Sequence, residues 1–127
     1  MTEYAVSVPE EIEDELSKSF ASGRIIEFTE QGEYVELKKV QVDRLGGLKI
    51  EIFSNEHPPP HFRVKFQGST ANYSISDCQR INGSGEVVRF ENNIYKWWKS
   101  NKRKLIDIWN ERRPSDCPVG EYREATT

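Results

Sequence analysis

Apolar and polar positions alternate along residues 48–53 and again along 61–67. Leu48, Ile50 and Ile52 share one phase, with Lys49, Glu51 and Phe53 in the other. Phe62, Val64 and Phe66 are apolar, while His61, Arg63, Lys65 and Gln67 are polar. A period of two marks a strand with one buried face. Antiparallel pairing with Ile52 opposite Phe62 sets Ile50 against Val64 and Leu48 against Phe66. On the other face it sets Phe53 against His61, Glu51 against Arg63 and Lys49 against Lys65. A slip of one residue would expose every apolar side chain, so the register is specified to within two residues. Gly68-Ser69, with glycine first as a type II′ turn wants, predicts a third strand over 70–76. It places Ala71 opposite Phe66, Tyr73 opposite Val64 and Ile75 opposite Phe62. The polar face of this meander then carries Lys49, Glu51, His61, Arg63, Lys65, Asn72, Ser74 and Ser76.

Upstream, Tyr4, Val6 and Val8 alternate as a short strand. Ile12, Leu16 and Phe20 recur every fourth residue, one apolar stripe of a helix. Its start is marked by the capping-box spacing of Ser7 and Glu10 and by Pro9 in the first turn, and Gly23 ends it. The opening Val6–Glu11 resembles a ribbon-helix-helix DNA-binding domain, but strand-like sequence follows where that fold has its second helix. Ile25, Ile26 and Phe28 start that sequence, Gln31-Gly32-Glu33 turns it, and Tyr34 to Val42 continues with a break in phase at Lys38-Lys39 that predicts a bulge. Gly46-Gly47 is the next turn, and Asn82–Gly85 reads as a flexible loop.

From Glu86 or Val87 the period lengthens. Phe90, Ile94, Trp97, Trp98, Leu105, Ile108 and Trp109 hold a helical phase to Arg112. Asn101 falls in this stripe, where a kink is expected, and Pro114 stops the helix. The apolar sheet face needs a cover. The expected fold is therefore α+β, an antiparallel meander covered on one face by an N-terminal helix and a long C-terminal helix. Residues 1–127 read as a single domain: a strand-helix-strand extension over 1–45, a core over 46–114 and a loose polar tail over 115–127.

Length and composition agree with a one-domain globular chain: 127 residues, 11% aromatic, 31% charged. No apolar run approaches the roughly 18 residues of a membrane helix, and the first residues lack a signal peptide's pattern. The expected location is cytoplasmic, away from membranes. Cys78 and Cys117 stand apart from any Cys-x-x-Cys pair and read as free thiols. Charge changes the picture more. Residues 1–45 hold eleven acids against five bases, and 46–127 hold ten against thirteen. The two halves can attract each other, or the second can present a basic binding face.

Both histidines, His57 and His61, bracket three prolines. An extended polyproline segment would hold their α-carbons about 12 Å apart on different faces, too far for one metal unless a cis proline folds the loop back. No metal and no cofactor is expected. His61, Arg63 and Lys65 share a strand face, where a histidine can move protons and an arginine can hold a phosphate bidentately. With His57, His61 and Arg63 are the catalytic candidates for metal-independent cleavage of RNA. The competing reading of Arg63 is a cross-strand ion pair with Glu51. Lys96, Lys99, Lys102, Arg103 and Lys104 crowd the long helix, with positions 96, 99 and 103 on one side. Together with Lys65, Lys96, Lys99, Lys102 and Arg103 are the binding candidates. Exposed tryptophans beside them would suit base stacking and phosphate contacts; buried ones would leave the lysines a solvated outer face.

Glu56-His57-x-Pro59-Pro60-His61-Phe62, Trp97 and the Leu105–Trp109 segment resemble an uncharacterised bacterial family, the domain of unknown function numbered four-one-six-zero, over Leu48 to Pro114. The family reads His-Phe-His where this chain ends in Arg63. The resemblance implies a gene encoded beside a small partner protein, in the manner of toxin–antitoxin pairs. The expected function is thus a non-enzymatic binding module acting with a partner protein. The alternatives are a ribonuclease using His61 and Arg63, and a protein binding RNA or DNA through its basic C-terminal helix.

Overall fold

In the computed structural model, residues 3–32, 48–54, 60–115, 117 and 120–123 are described in full, and residues 34–39 by their backbone. The histidine–proline loop up to Pro59, including His57, lies outside them, as do the Gly46-Gly47 turn and the second phase of the run ending at Val42.

The two alternating segments form β4 (Lys49–Ser54) and β5 (His61–Phe66), paired antiparallel. The observed partners are those expected: Ile50 with Val64, Ile52 with Phe62, Glu51 with Arg63 and Phe53 with His61. β1 (Tyr4–Ser7) lies antiparallel on the free edge of β4, with Val6 opposite Ile52. β6 (Ser69–Ser74) and β7 (Arg80–Gly83) extend the other side, so that among the described residues this sheet has five strands in the order β1-β4-β5-β6-β7.

The second hairpin corrects the expected register. Val64 sits opposite Ala71 and Phe62 opposite Tyr73, a shift of two residues. The turn residues are Gln67 and Gly68, with φ of 49° and 76°. Two positive φ values make the type I′ geometry whose twist matches the flanking strands. Ser69 is freed to start β6. Its hydroxyl donates to the Ser84 carbonyl (2.5 Å) and accepts the Val87 N–H (3.1 Å). A shift of two keeps every side chain on its face, so the apolar pattern could not exclude it. β7 forms where a loop was expected, pairing with β6 through Gly83, Asn82 and Arg80.

Helices cover the apolar face. α1 (Glu10–Ala21) follows Pro9, which occupies the capping position without a side-chain bond. The expected Ser7–Glu10 box is absent because Ser7 is the last residue of β1, paired with Glu51. The helical pattern starting at Glu86 is split into α2 (Glu86–Arg89) and α3 (Glu91–Arg112), separated at Phe90. α3 runs as one element through Asn101, whose Nδ2 donates to the Trp97 carbonyl (2.9 Å) and the Glu15 carboxylate (3.3 Å). Leu16, Phe20, Phe62, Val64, Tyr73, Phe90, Ile94, Leu105 and Trp109 are wholly buried between these layers. Phe20 stacks on Phe90 at 4.6 Å and meets Phe66 edge-on at 5.0 Å, which closes the core between α1, the sheet and the α2–α3 junction.

The N-terminal segment completes this core. Val8 donates its N–H to the Ile50 carbonyl (3.1 Å), and the buried Glu13 carboxylate accepts the Ile50 N–H (2.7 Å). An edge strand that β1 covers only in part is thus satisfied by a helix side chain. β2 (Arg24–Phe28) and β3 (Tyr34–Lys39) form a separate hairpin, irregular opposite Ile25 and Ile26, where Leu37 is the extra residue. Two α3 amides fasten it: Asn93 Oδ1 accepts the Ile26 N–H (3.0 Å), and Asn92 Nδ2 donates to the Ile26 carbonyl (3.0 Å). The segment after Pro114 reads as loose in the sequence. Its described part is tied back, since Asn110 exchanges two hydrogen bonds with the Tyr122 backbone (3.0 and 2.6 Å) and Cys117 is buried.

Candidate functional site

β5 turns His61, Arg63 and Lys65 to the polar side of the sheet, because its apolar phase is spent on the core. Phe53, directly opposite His61, is the exception on that side. It is buried, with the His61 ring 5.4 Å away and the Arg63 guanidinium 4.3 Å over its face. The sequence-predicted pair is therefore brought together around one aromatic ring.

Arg63 is engaged on every side. Nη1 and Nη2 donate to the two Glu3 carboxylate oxygens at 3.0 and 2.7 Å, a bidentate pair, and Nε donates to Asn72 Oδ1 at 3.0 Å. Glu51 stands 3.6 Å away. The hydrogen bonds and charge of Glu3 hold the arginine above its usual pKa, against burial, and those of Arg63 hold the Glu3 carboxyl below the usual carboxylate range. Lys65 pairs with Glu51 at 2.9 Å. The expected Glu51–Arg63 contact exists, but the stronger partners are Glu3 and Asn72. Asn72 is anchored in turn by its Nδ2, which donates to Asn82 Oδ1 at 2.6 Å.

His61 is half-buried, and burial lowers its pKa, which favours the neutral ring. Its Nδ1 is buried, with no hydrogen-bond partner among the described residues. A cavity of about 290 Å³ opens beside this face, lined by Glu10, Glu13, Lys49, Glu51 and Lys65 among others. Neither His61 nor Arg63 lines it. Among the described residues no three His, Cys, Asp or Glu side chains converge as a metal site. Cys78 is buried, and burial with the nearby Glu91 and Asp77 pushes its thiol up to about 12, which makes it a poor nucleophile.

The second set of candidates lies on α3. Lys96, Lys99, Arg103 and Lys104 are exposed, and Lys102 is half-buried, its ammonium 5.3 Å from the Trp98 ring. Arg103 is bound to the exposed Asp107 at 2.8 Å. Such an exposed pair one turn apart contributes about 0.3–0.5 kcal/mol. The tryptophans face the other way. Trp97, Trp98 and Trp109 are buried, and each indole N–H is used internally, by the carbonyls of Ile12 (3.1 Å), Ile75 (2.9 Å) and Gly120 (3.4 Å). The basic face thus has no tryptophan on which a base could stack.

Sequence reasoning missed Glu3 and Asn72 as the partners of Arg63. Asn72 falls opposite Arg63 once the turn is placed on Gln67-Gly68. Glu3 shares the phase of Ala5 and Ser7, but only the pairing of β1 with β4 carries it to the site.

Residues 47–110 match the family model described as Domain of unknown function (DUF4160). No curated protein and no solved structure matches the chain.

Proposed function

The chain belongs to the DUF4160 family, and from that premise we propose that it is a non-enzymatic binding module whose basic α3 face docks an acidic partner protein. One observation carries this reading. The arginine best placed for chemistry donates to Glu3 and Asn72, while Lys96, Lys99, Arg103 and Lys104 lie exposed on α3. A substrate phosphate would have to displace a bidentate, partly desolvated carboxylate from Arg63. A partner on α3 meets exposed side chains, of which Arg103 would exchange the exposed Asp107 for the partner's carboxylate. A row of exposed cations steers an acidic surface and sets its orientation. The buried tryptophans favour a protein surface over single-stranded RNA, which uses exposed aromatic platforms. A partner encoded alongside, in a pair of the toxin–antitoxin type, is the setting that the family resemblance implies.

Co-expression with the product of the adjacent gene tests the proposal. The two proteins should co-purify, and Lys99→Glu with Arg103→Glu should release the partner while the chain remains folded. The chain alone should leave RNA intact. Cleavage of RNA that disappears in His61→Ala would replace this reading with the ribonuclease one, and retention of RNA without the partner protein would replace it with nucleic-acid binding.

A further inference from the structure

Among the described residues the large hydrophobic side chains left in solvent are Phe28 and Ile81. Phe28 lies against α3. Its ring is 37% exposed and meets Tyr95 edge-on at 5.6 Å, and Tyr95 in turn stands 5.4 Å from the buried Trp98 ring. Phe28 makes further contacts within the chain, so it offers a partner only the part of its ring that solvent reaches. Beside this pair opens a pocket of about 460 Å³ between the β2–β3 turn and α3. Phe28 and Gly32 line it on one side, and Glu91, Asn92, Tyr95 and Lys99 on the other.

The two walls are fixed to each other. The Asn92 and Asn93 amides hold both backbone groups of Ile26 (3.0 Å each), which seats β2 on α3. The Gly32 N–H donates to the Thr29 carbonyl (2.9 Å) and closes the turn. Walls held in this way lose little freedom when a ligand arrives. Glu91, the acid in the lining, is already engaged: its Oε2 accepts from the Tyr73 hydroxyl (3.2 Å) and meets Arg80 Nε at 3.0 Å. Asn92 spends its Nδ2 on Ile26, while its Oδ1 accepts no hydrogen bond from the described residues and keeps its lone pairs. Lys99 is exposed at the rim, one helical turn after Tyr95.

We propose that this pocket receives a tyrosine side chain from an acidic segment of the partner protein. The inference rests on the docking role given to α3, because Lys99 belongs both to the pocket and to the exposed cations of that helix. Phe28 and Tyr95 give an aromatic wall, against which another ring packs edge-on or offset. A phenol differs from a benzyl group in carrying a donor, and Asn92 Oδ1 is an acceptor for it. Acidic residues on either side of the tyrosine would meet Lys99 at the rim. The volume lies within the range of small-ligand sites, room for one aromatic side chain with part of its backbone. Rim charges mainly steer and orient a partner, whereas aromatic anchors set in pockets carry most of the binding energy. The pocket thus adds to the α3 face the apolar burial that a row of cations lacks.

Nitrogen-15 NMR titration of the full chain with end-blocked pentapeptides tests it. The probe carries a central tyrosine with a glutamate and an aspartate on each side. It should shift the amides of Phe28, Gly32 and Lys99 and the side-chain amide of Asn92, saturating with a Kd at or below about 1 mM. Replacing the tyrosine by alanine should weaken binding at least tenfold, and phenylalanine should fall between the two. Phe28→Ala should weaken the tyrosine peptide at least tenfold with unchanged melting; the peptide series decides the matter even where that variant fails to fold. Failure of the tyrosine peptide to saturate would overturn the proposal. Equal affinity of the tyrosine and alanine peptides, lost for both in Lys99→Glu with Arg103→Glu, would overturn the pocket and leave acidic docking on α3 standing. A tyrosine peptide flanked by lysines that binds as tightly as the acidic one would overturn the acidic occupant, and with it the docking reading.

Discussion

The polar face of β5 and the outer face of α3 look alike in the sequence and differ in the fold. Each sets cations at the spacing that puts them on one surface: Arg63 and Lys65 on the strand, Lys96, Lys99 and Arg103 on the helix. On the strand, carboxylates from β4 and from Glu3, just before β1, arrive beside them, and Arg63 is bound by Glu3, Asn72 and Glu51 over the Phe53 ring. On the helix, residues 96, 99 and 103 are exposed, and Arg103 is bound by the exposed Asp107. A row of cations therefore does not by itself mark a binding surface. What decides is whether the topology brings acids against it.

The sharpest way to break this contrast is to remove Arg63. Arg63→Ala strands Glu3, Glu51 and Asn72 in a partly buried setting, and hydrogen bonds to charged groups contribute about 1.5–3 kcal/mol. Urea unfolding should show a loss of this size, with Arg63→Lys between the two because it keeps the charge but not the fork. A stability equal to the parent's would show that the network is ornamental and that Arg63 is free for other work.

A smaller effect follows from His61. Its folded pKa lies below the unfolded value, so the unfolded chain takes up the proton more readily and stability falls as pH drops through and below about 6.5. The unfolding midpoint should be lower at pH 5.5 than at pH 7.5, and His61→Gln should flatten that difference. A parent midpoint that rises on acidification would contradict the burial of the ring. Glu3, also depressed by its arginine, adds its own loss only at more acidic pH.

The smallest expected effect is on α3. Lys99→Glu with Arg103→Glu should change stability by no more than about 0.5 kcal/mol, as surface substitutions away from buried networks do. A cost of several kcal/mol would mean that this face also serves the fold.

Much of the architecture was legible because period two and period 3.6 each name a buried face. The pairing of β4 with β5 follows from their alternation, and the cover by α1 and α3 follows from their stripes. The β5–β6 register was not, since a shift of two preserves every face and only the turn geometry at Gln67 and Gly68 separates the options. The site was legible as a list of side chains and not as a set of partners. Arg63 binds a carboxylate 60 residues away, brought there by an edge strand whose pairing the sequence leaves open. The role of the tryptophans was open for the same reason. An amphipathic helix reads identically whether its aromatics face a sheet or a ligand, and here each indole N–H finds a backbone carbonyl inside the chain.

The most direct test is calorimetric titration of the adjacent gene's product into the parent chain, Arg63→Ala and the Lys99→Glu, Arg103→Glu double variant, at low and moderate salt. Docking through α3 predicts that the double variant loses about tenfold or more in affinity, ~1.4 kcal/mol, that salt weakens the parent interaction, and that Arg63→Ala binds like the parent at a temperature where it is folded. Loss of binding in Arg63→Ala with full affinity in the double variant would contradict the account and return the function to the sheet face.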